Sequence, residues 1–220
     1  MKTDATEKPG KSPRVQKKRK QARKEILQTA LAILREQGIE AVTLASVAGK
    51  LGMTKQALYH YFPSKDSLSS ALVAALLDEE VEVLISAVRA SDSDQAALGI
   101  LIRRFYEHYI DNLEAFRTVY CLPQVKSAVR VAMNETTLRE EINPRSHKLF
   151  DALETRLARE SMSRKQRENI RRLAFVAWTS ALGLMTMLSL AKAVEDPLVH
   201  RDADLLEVLT RVFEGAGNSE

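Results

Sequence analysis

The chain has 220 residues, a single cysteine and a formal net charge of +4, with 45% hydrophobic and 28% charged residues. One cysteine, Cys121, excludes an intramolecular disulfide and suits a reducing cytoplasm, and the first residues hold no apolar signal core, which argues against secretion. Aromatics at 5%, few Gly and Pro, and abundant Ala, Leu, Arg and Glu favour an all-α fold. The charge is uneven. Through Asp66 there are 14 Lys and Arg against 6 Asp and Glu, and the remainder carries 19 against 23. A basic head on a mildly acidic body predicts that the head meets a polyanion, the plain alternative being a solvated basic tail.

Residues 1–18 are polar, carry Pro and Gly and lack an apolar period, so they are expected to form a disordered basic arm. From Arg19 to Gln37 the apolar residues Ile26, Ala30, Ile33 and Leu34 recur on one helical face, and Gly38 supplies the stop. Thr43 is a cap for LASVAGKL, Gly52 breaks the chain, and Thr54 is a cap for KQALYHYF. Helix, Gly-containing turn and helix make the helix-turn-helix pattern, with Gly52 tolerating positive φ. Pro63 closes the second helix and Ser64 opens a third. In such a unit the second helix enters the major groove. Met53, Leu58 and Phe62 suit its inner face, which leaves Lys55, Gln56, Ala57, Tyr59 and His60 outward. Lys suits a phosphate or a guanine edge, Tyr suits a phosphate and sugar, and Gln pairs bidentately with adenine. Lys65 stands where its charge and the free amides of the next helix meet a phosphate.

The run TLASVAGKLGMTKQALYHYFPSKDSL, residues 43–68, resembles the DNA-binding signature of the tetracycline-repressor (TetR) family at Gly52, Met53, Thr54, Leu58, Tyr59, Phe62, Lys65, Asp66 and Leu68. Two mild departures are Tyr61, where the family often has His, and Ala45, which offers only a methyl. The resemblance implies a homodimer on double-stranded DNA with a pseudo-palindromic operator. It matches Thr43, Thr54, Tyr59 and Lys65 to phosphate-holding positions and Lys55, Gln56 and His60 to positions near bases. Arg14, Lys17, Lys18, Arg19, Lys20, Arg23 and Lys24 are expected to add affinity along the backbone or minor groove. The domain reading is an arm at 1–18, a DNA-binding domain at 19–68 and a ligand-binding and dimerisation domain at 69–220.

Beyond Leu68 every segment reads as helix. One runs to about Arg89, and SDSD (91–94) marks a loop and caps the next, at roughly 94–111. A short helix covers Leu113 to Cys121. Residues 125–140 are ambiguous, and Asn143-Pro144 is a cap with proline at the first helical position, opening a helix to about Glu160. Ser163 and Gln166 form a capping box for a helix to about Val194, Pro197 interrupts, and a last helix covers roughly 203–214. Residues 173–191 carry no charge and span about 28 Å as a helix, near the lower limit for a membrane. Thr179, Ser180, Thr186 and Ser189 dilute them and charges flank both ends, so burial in a bundle is expected and membrane insertion is not. The resemblance implies that the last long helices form the dimer interface, with Ala177, Ala181 and Gly183 allowing close approach.

It also implies a pocket for a small effector, with Phe105, Tyr109, Phe116, Tyr120, Trp178, Leu182 and Met185 as candidate lining for a mainly apolar or aromatic ligand; each is equally placed for ordinary core. No Gly-rich phosphate loop, paired-histidine spacing or cysteine motif supports an enzyme, and no cofactor is expected. His108, His147 and Cys121 form a metal or redox site only if folding gathers them. The expected function is a ligand-released transcriptional repressor, the alternative being a DNA-binding regulator controlled by a protein partner or by abundance.

Overall fold

A computed structural model describes residues 13–91, 96–121, 136, 138–194 and 200–216. Among them no strand occurs, and the chain divides into two compact units, Met1–Leu68 and Ser69–Glu220.

The first unit opens with α1 (Pro13–Gln37), followed by a 3₁₀ turn (Ile39–Ala41), α2 (Leu44–Lys50) and α3 (Lys55–Tyr59). The expected arm is corrected for residues 13–18, which are helical; residues 1–12 lie outside the described residues. Pro13 fits a first helical position, and Arg, Gln and Lys propagate a helix that needs no partner surface. Ile26, Ala30, Ile33 and Leu34 are buried, as their spacing predicts. Val42, Leu44, Val47, Leu58 and Phe62 are buried with them and complete the core of this small unit. Lys50 Nζ pairs with Glu36 at 2.8 Å and ties α2 to α1.

The second unit holds most of α4 (Lys65–Arg89), then α5 (Ala97–Ile110) and the short α6 (Leu113–Phe116), which runs on as a π-helical turn (Arg117–Cys121). A second π-helical turn (Leu138–Ile142) leads into α7 (Asn143–Leu157), followed by α8 (Arg164–Val194) and α9 (Asp202–Ala216). Two expected caps are corrected. Asn143 lies inside α7, whose N-cap Ile142 makes no side-chain bond, because the preceding π-helical turn already carries helical backbone into it. The N-cap of α5 is Ala96, also without a side-chain bond, and Asp92–Asp94 and Pro197 lie outside the described residues, as does most of 125–140. The Ser163–Gln166 box is present, with Ser163 N donating to Gln166 Oε1 at 2.8 Å. Helix α5 packs against α8 and α9, and α7 lies along α8.

Candidate DNA-binding face and effector cavity

The turn between α2 and α3 is built by its backbone. Met53 N donates to Ala48 O at 2.9 Å and Gly52 N to Gly49 O at 3.2 Å, the paired bonds of a Schellman closure, with Gly52 at φ 64°. Thr54 then caps α3: its Oγ1 accepts from Ala57 N at 3.1 Å. Leu58 and Phe62 are fully buried, which turns Thr54, Lys55, Gln56, Tyr59 and His60 to solvent, while Ala57 and Met53 are half-buried. The Lys55 ammonium lies 6.0 Å from the Tyr59 ring. Thr43 caps α2, with its oxygen accepting from Ser46 N at 3.0 Å and its hydroxyl bonded to Ser46 Oγ at 3.0 Å. Its side chain is half-buried and occupied within the fold. Ser64 and Ser67 cap α4 reciprocally, at 3.0 and 3.2 Å, and put exposed Lys65 in the first turn beside its own amide and that of Asp66.

Sequence reasoning treated Arg19 and Arg23 only as parts of a basic arm, whereas both are built into this unit. Arg23 Nη1 donates to Tyr61 O at 2.8 Å and its guanidinium covers the Phe62 ring at 4.2 Å; Arg19 Nη2 reaches His60 O at 3.4 Å. Cations at the carbonyl end of α3 satisfy the acceptors that a helix C-terminus leaves open. Their spacing of four places them on one helical face, the signal from which this could have been read.

In the second unit a cavity of about 530 Å³ lies between α4, the Arg117–Cys121 turn, α7 and α8. Of the seven expected lining residues, Tyr120 and Trp178 line it, and Phe105, Tyr109, Phe116, Leu182 and Met185 do not. Phe105, Tyr109 and Phe116 are fully buried, ring against ring at 5.2–6.4 Å, and Met185 lies on the inward stripe of α8. The walls contain groups the sequence did not single out: Glu80, His147, Phe150, Arg171 and Phe175. Glu80 was hidden because it sits in an acidic run with Asp78, Glu79 and Glu82, which reads as a solvated helix face.

Glu80 is the chemical centre of this unit. It is 2% exposed, and its Oε2 accepts from the hydroxyls of Tyr109 and Tyr120, each at 2.6 Å. Burial pushes its pKa up to about 7, against the pull of hydrogen bonds from Tyr109, Tyr120 and Trp178. Burial, followed by the Glu80 charge, raises both tyrosines well above the usual phenol range. Arg171 joins the wall already paired, with Asp151 at 2.6 Å and Glu154 at 2.8 Å.

Ala177 and Ala181, expected between subunits, are fully buried inside their own unit, in line with Ala174, Met185 and Leu188. Gly183 is exposed, with nothing within 4 Å of where a Cβ would stand, and shares an outward face of α8 with Val176, Met187 and Leu190, each at least half exposed. Val208 and Val212 give α9 a similar face. A helix apolar all round does not reveal by spacing which side meets its own unit. Residues 164–190 have the length and composition of a membrane span, with 33% of the most apolar window buried. No group of three or more His, Cys, Asp or Glu suited to a metal occurs among the described residues, so His108, His147 and Cys121 are not gathered into one. Burial raises the Cys121 thiol pKa.

A capped helix-turn-helix joined to an all-helical body defines a helix-turn-helix DNA-binding protein. Residues 26–72 match the profile described as bacterial regulatory proteins, tetR family, a family of transcriptional regulators rather than enzymes. The HTH-type transcriptional regulator BetI of Rhizobium meliloti is 27% identical over 120 residues, 54% of each chain, so the match spans about half of that relative's length. The nucleoid occlusion factor SlmA of Haemophilus influenzae is 28% identical over 160 residues, 71% of this chain and 68% of its own. A TetR/AcrR-family transcriptional regulator from Thermobifida fusca shares the fold with a TM-score of 0.59 at 20% identity, over 91% of this chain and 100% of its own. Regulators of the family bind DNA and act as dimers.

Proposed function

We propose that the protein is a cytoplasmic homodimeric repressor that holds a pseudo-palindromic operator through α3 and is released when an effector occupies the body cavity. The outward face of α3 carries this reading: Lys55, Gln56, Tyr59 and His60 stand exposed on a helix too short to bury anything beyond Leu58. Gln56, Lys55 and His60 read base edges; Tyr59, Thr54 and Lys65 hold phosphates. Thr43 contributes by fixing α2, since its hydroxyl is occupied. The second copy covers Val176, Gly183, Met187 and Leu190 on α8 and Val208 and Val212 on α9. These residues give α8 and α9 an exposed apolar stripe each, which costs free energy if left in water.

Helix α4 carries Lys65 at one end and Glu80 in the cavity wall, so an effector that moves α4 acts on a DNA-contacting residue along one helix. The effector shifts operator binding only by its differential affinity for the two states. A genome-wide map of bound sites, followed by footprinting, tests the proposal. Two symmetric half-sites about 34 Å apart, or a multiple of one helical turn, are expected. Binding without a symmetric motif would end the operator reading. A second reading is control by a protein partner or by abundance without a small ligand, and the likeness to a nucleoid occlusion factor supports a role other than ligand-released repression. A cavity that takes up no compound while operator binding persists would favour that one.

A further inference from the structure

The chemistry of the effector follows from the electrostatics of the cavity. We infer that the cavity accepts a hydrophobic organic monocation, an amine or quaternary ammonium carried on an apolar body, with Glu80 as its counter-ion and the surrounding rings as its cage. This rests on the proposal that the cavity binds an effector at all, and it adds the charge of that effector.

Three observations converge. Glu80 faces the cavity from a buried position and has no cationic partner among the described residues. A buried carboxylate is costly unless paired, and hydroxyl and indole donors solvate it without neutralising it. The other charged wall group, Arg171, is already neutralised by Asp151 and Glu154, which leaves little field for an anionic ligand. Four rings of the wall form a connected box: Tyr120, Phe150 and Phe175 lie 6.0, 6.2 and 5.8 Å from Trp178, and Phe150 lies 5.8 Å from Phe175. Ring faces attract a desolvated cation, most strongly at tryptophan. A purely apolar guest would desolvate Glu80 further, favour its neutral acid form and gain nothing from its charge. A cation supplies the missing charge and uses the same rings for its apolar body.

The groups facing Glu80 or sharing its cavity are Tyr109 from α5, Tyr120 from the turn, His147 from α7 and Trp178 and Arg171 from α8. Titration of affinity with pH would therefore mix several groups. A matched pair of probes isolates the charge instead. Benzyltrimethylammonium and its carbon isostere neopentylbenzene have nearly the same shape and differ in charge. Calorimetric titration of the full chain should show the cation binding at least about tenfold more tightly, which is about 1.4 kcal/mol. Glu80→Gln keeps an oxygen that accepts both tyrosine hydroxyls and should abolish the preference while leaving the isostere's affinity within about threefold, a difference of under 1 kcal/mol. The wild-type comparison decides the matter even if the variant does not fold. Equal or tighter binding of the isostere overturns the inference, as does tighter binding of phenylacetate, which would assign the site to Arg171 and His147. A cation preference that survives in folded Glu80→Gln also overturns it. All three leave the effector cavity standing, whereas no saturable binding of any probe removes the cavity reading along with the inference.

Discussion

Glu80 links the chemistry of one side chain to the stability of the body. Its carboxyl is an acid whose folded pKa, about 7, lies above the ordinary 4.5. The folded protein therefore holds a proton that the unfolded chain has lost, and this contribution is full below about pH 4.5 and lost as pH rises through about 7. The whole window is worth on the order of 3 kcal/mol. Glu80→Gln removes the slope, so urea denaturation should show the variant gaining on wild type by about 2–3 kcal/mol between pH 5 and pH 8. Parallel pH profiles would show that burial does not hold the carboxyl protonated. On the DNA side, Lys65→Ala should weaken binding to all sequences alike and lower the salt slope by about one unit per subunit. An unchanged slope in anisotropy titrations would remove Lys65 from the phosphate set. Gln56→Ala should cost about 1–3 kcal/mol on the operator and little on random DNA, with equal losses showing that it reads no base.

The α2–α3 corner is a short element whose geometry depends on one residue. Gly52 adopts φ 64°, and a Cβ there would meet nothing within 4 Å. The cost of Gly52→Ala is thus backbone strain alone, about 1–2 kcal/mol in thermal or urea unfolding. Operator affinity should fall with it, because α3 is aimed by this corner. A neutral substitution would mean that the turn rearranges freely. The same elements show what was legible in the chain. Thr43, Thr54 and Ser163 announce caps, and the Ile26 to Leu34 stripe announces a buried face, since both signals are local. The start of α1 was not legible, because its first turns bury nothing and resemble a solvated arm. The cap expected for α7 failed for the opposite reason: helical backbone running in from the Leu138–Ile142 turn took the place that a polar side chain would have filled.

For the assembled molecule, the decisive test is the outward face of α8. Gly183→Arg meets open space within its own protomer, so the variant should fold and lose dimerisation, because a second copy would bury an unpaired charge. Sedimentation should then give a folded monomer with operator affinity reduced by orders of magnitude. A dimer that tolerates the arginine would move the interface elsewhere, and a wild type that requires detergent would return α8 to the membrane.

The linear chain by itself determined the helical class, the helix-turn-helix and the exposed face of α3, because capping, glycine at positive φ and a 3.6-residue stripe act over a few neighbouring residues. Tertiary structure alone decided the rest. It turned Ala177 and Ala181 inward and Gly183 outward on a helix whose apolar residues surround it, a choice that no periodicity encodes. It withdrew Phe105, Tyr109 and Phe116 into ring contacts and gave the cavity Phe150, Phe175 and Trp178 instead. It also brought Tyr109 and Tyr120, 29 and 40 residues away, onto Glu80. Burial and charge are set by what packs around a residue, and for this carboxylate those neighbours come from three distant stretches of chain.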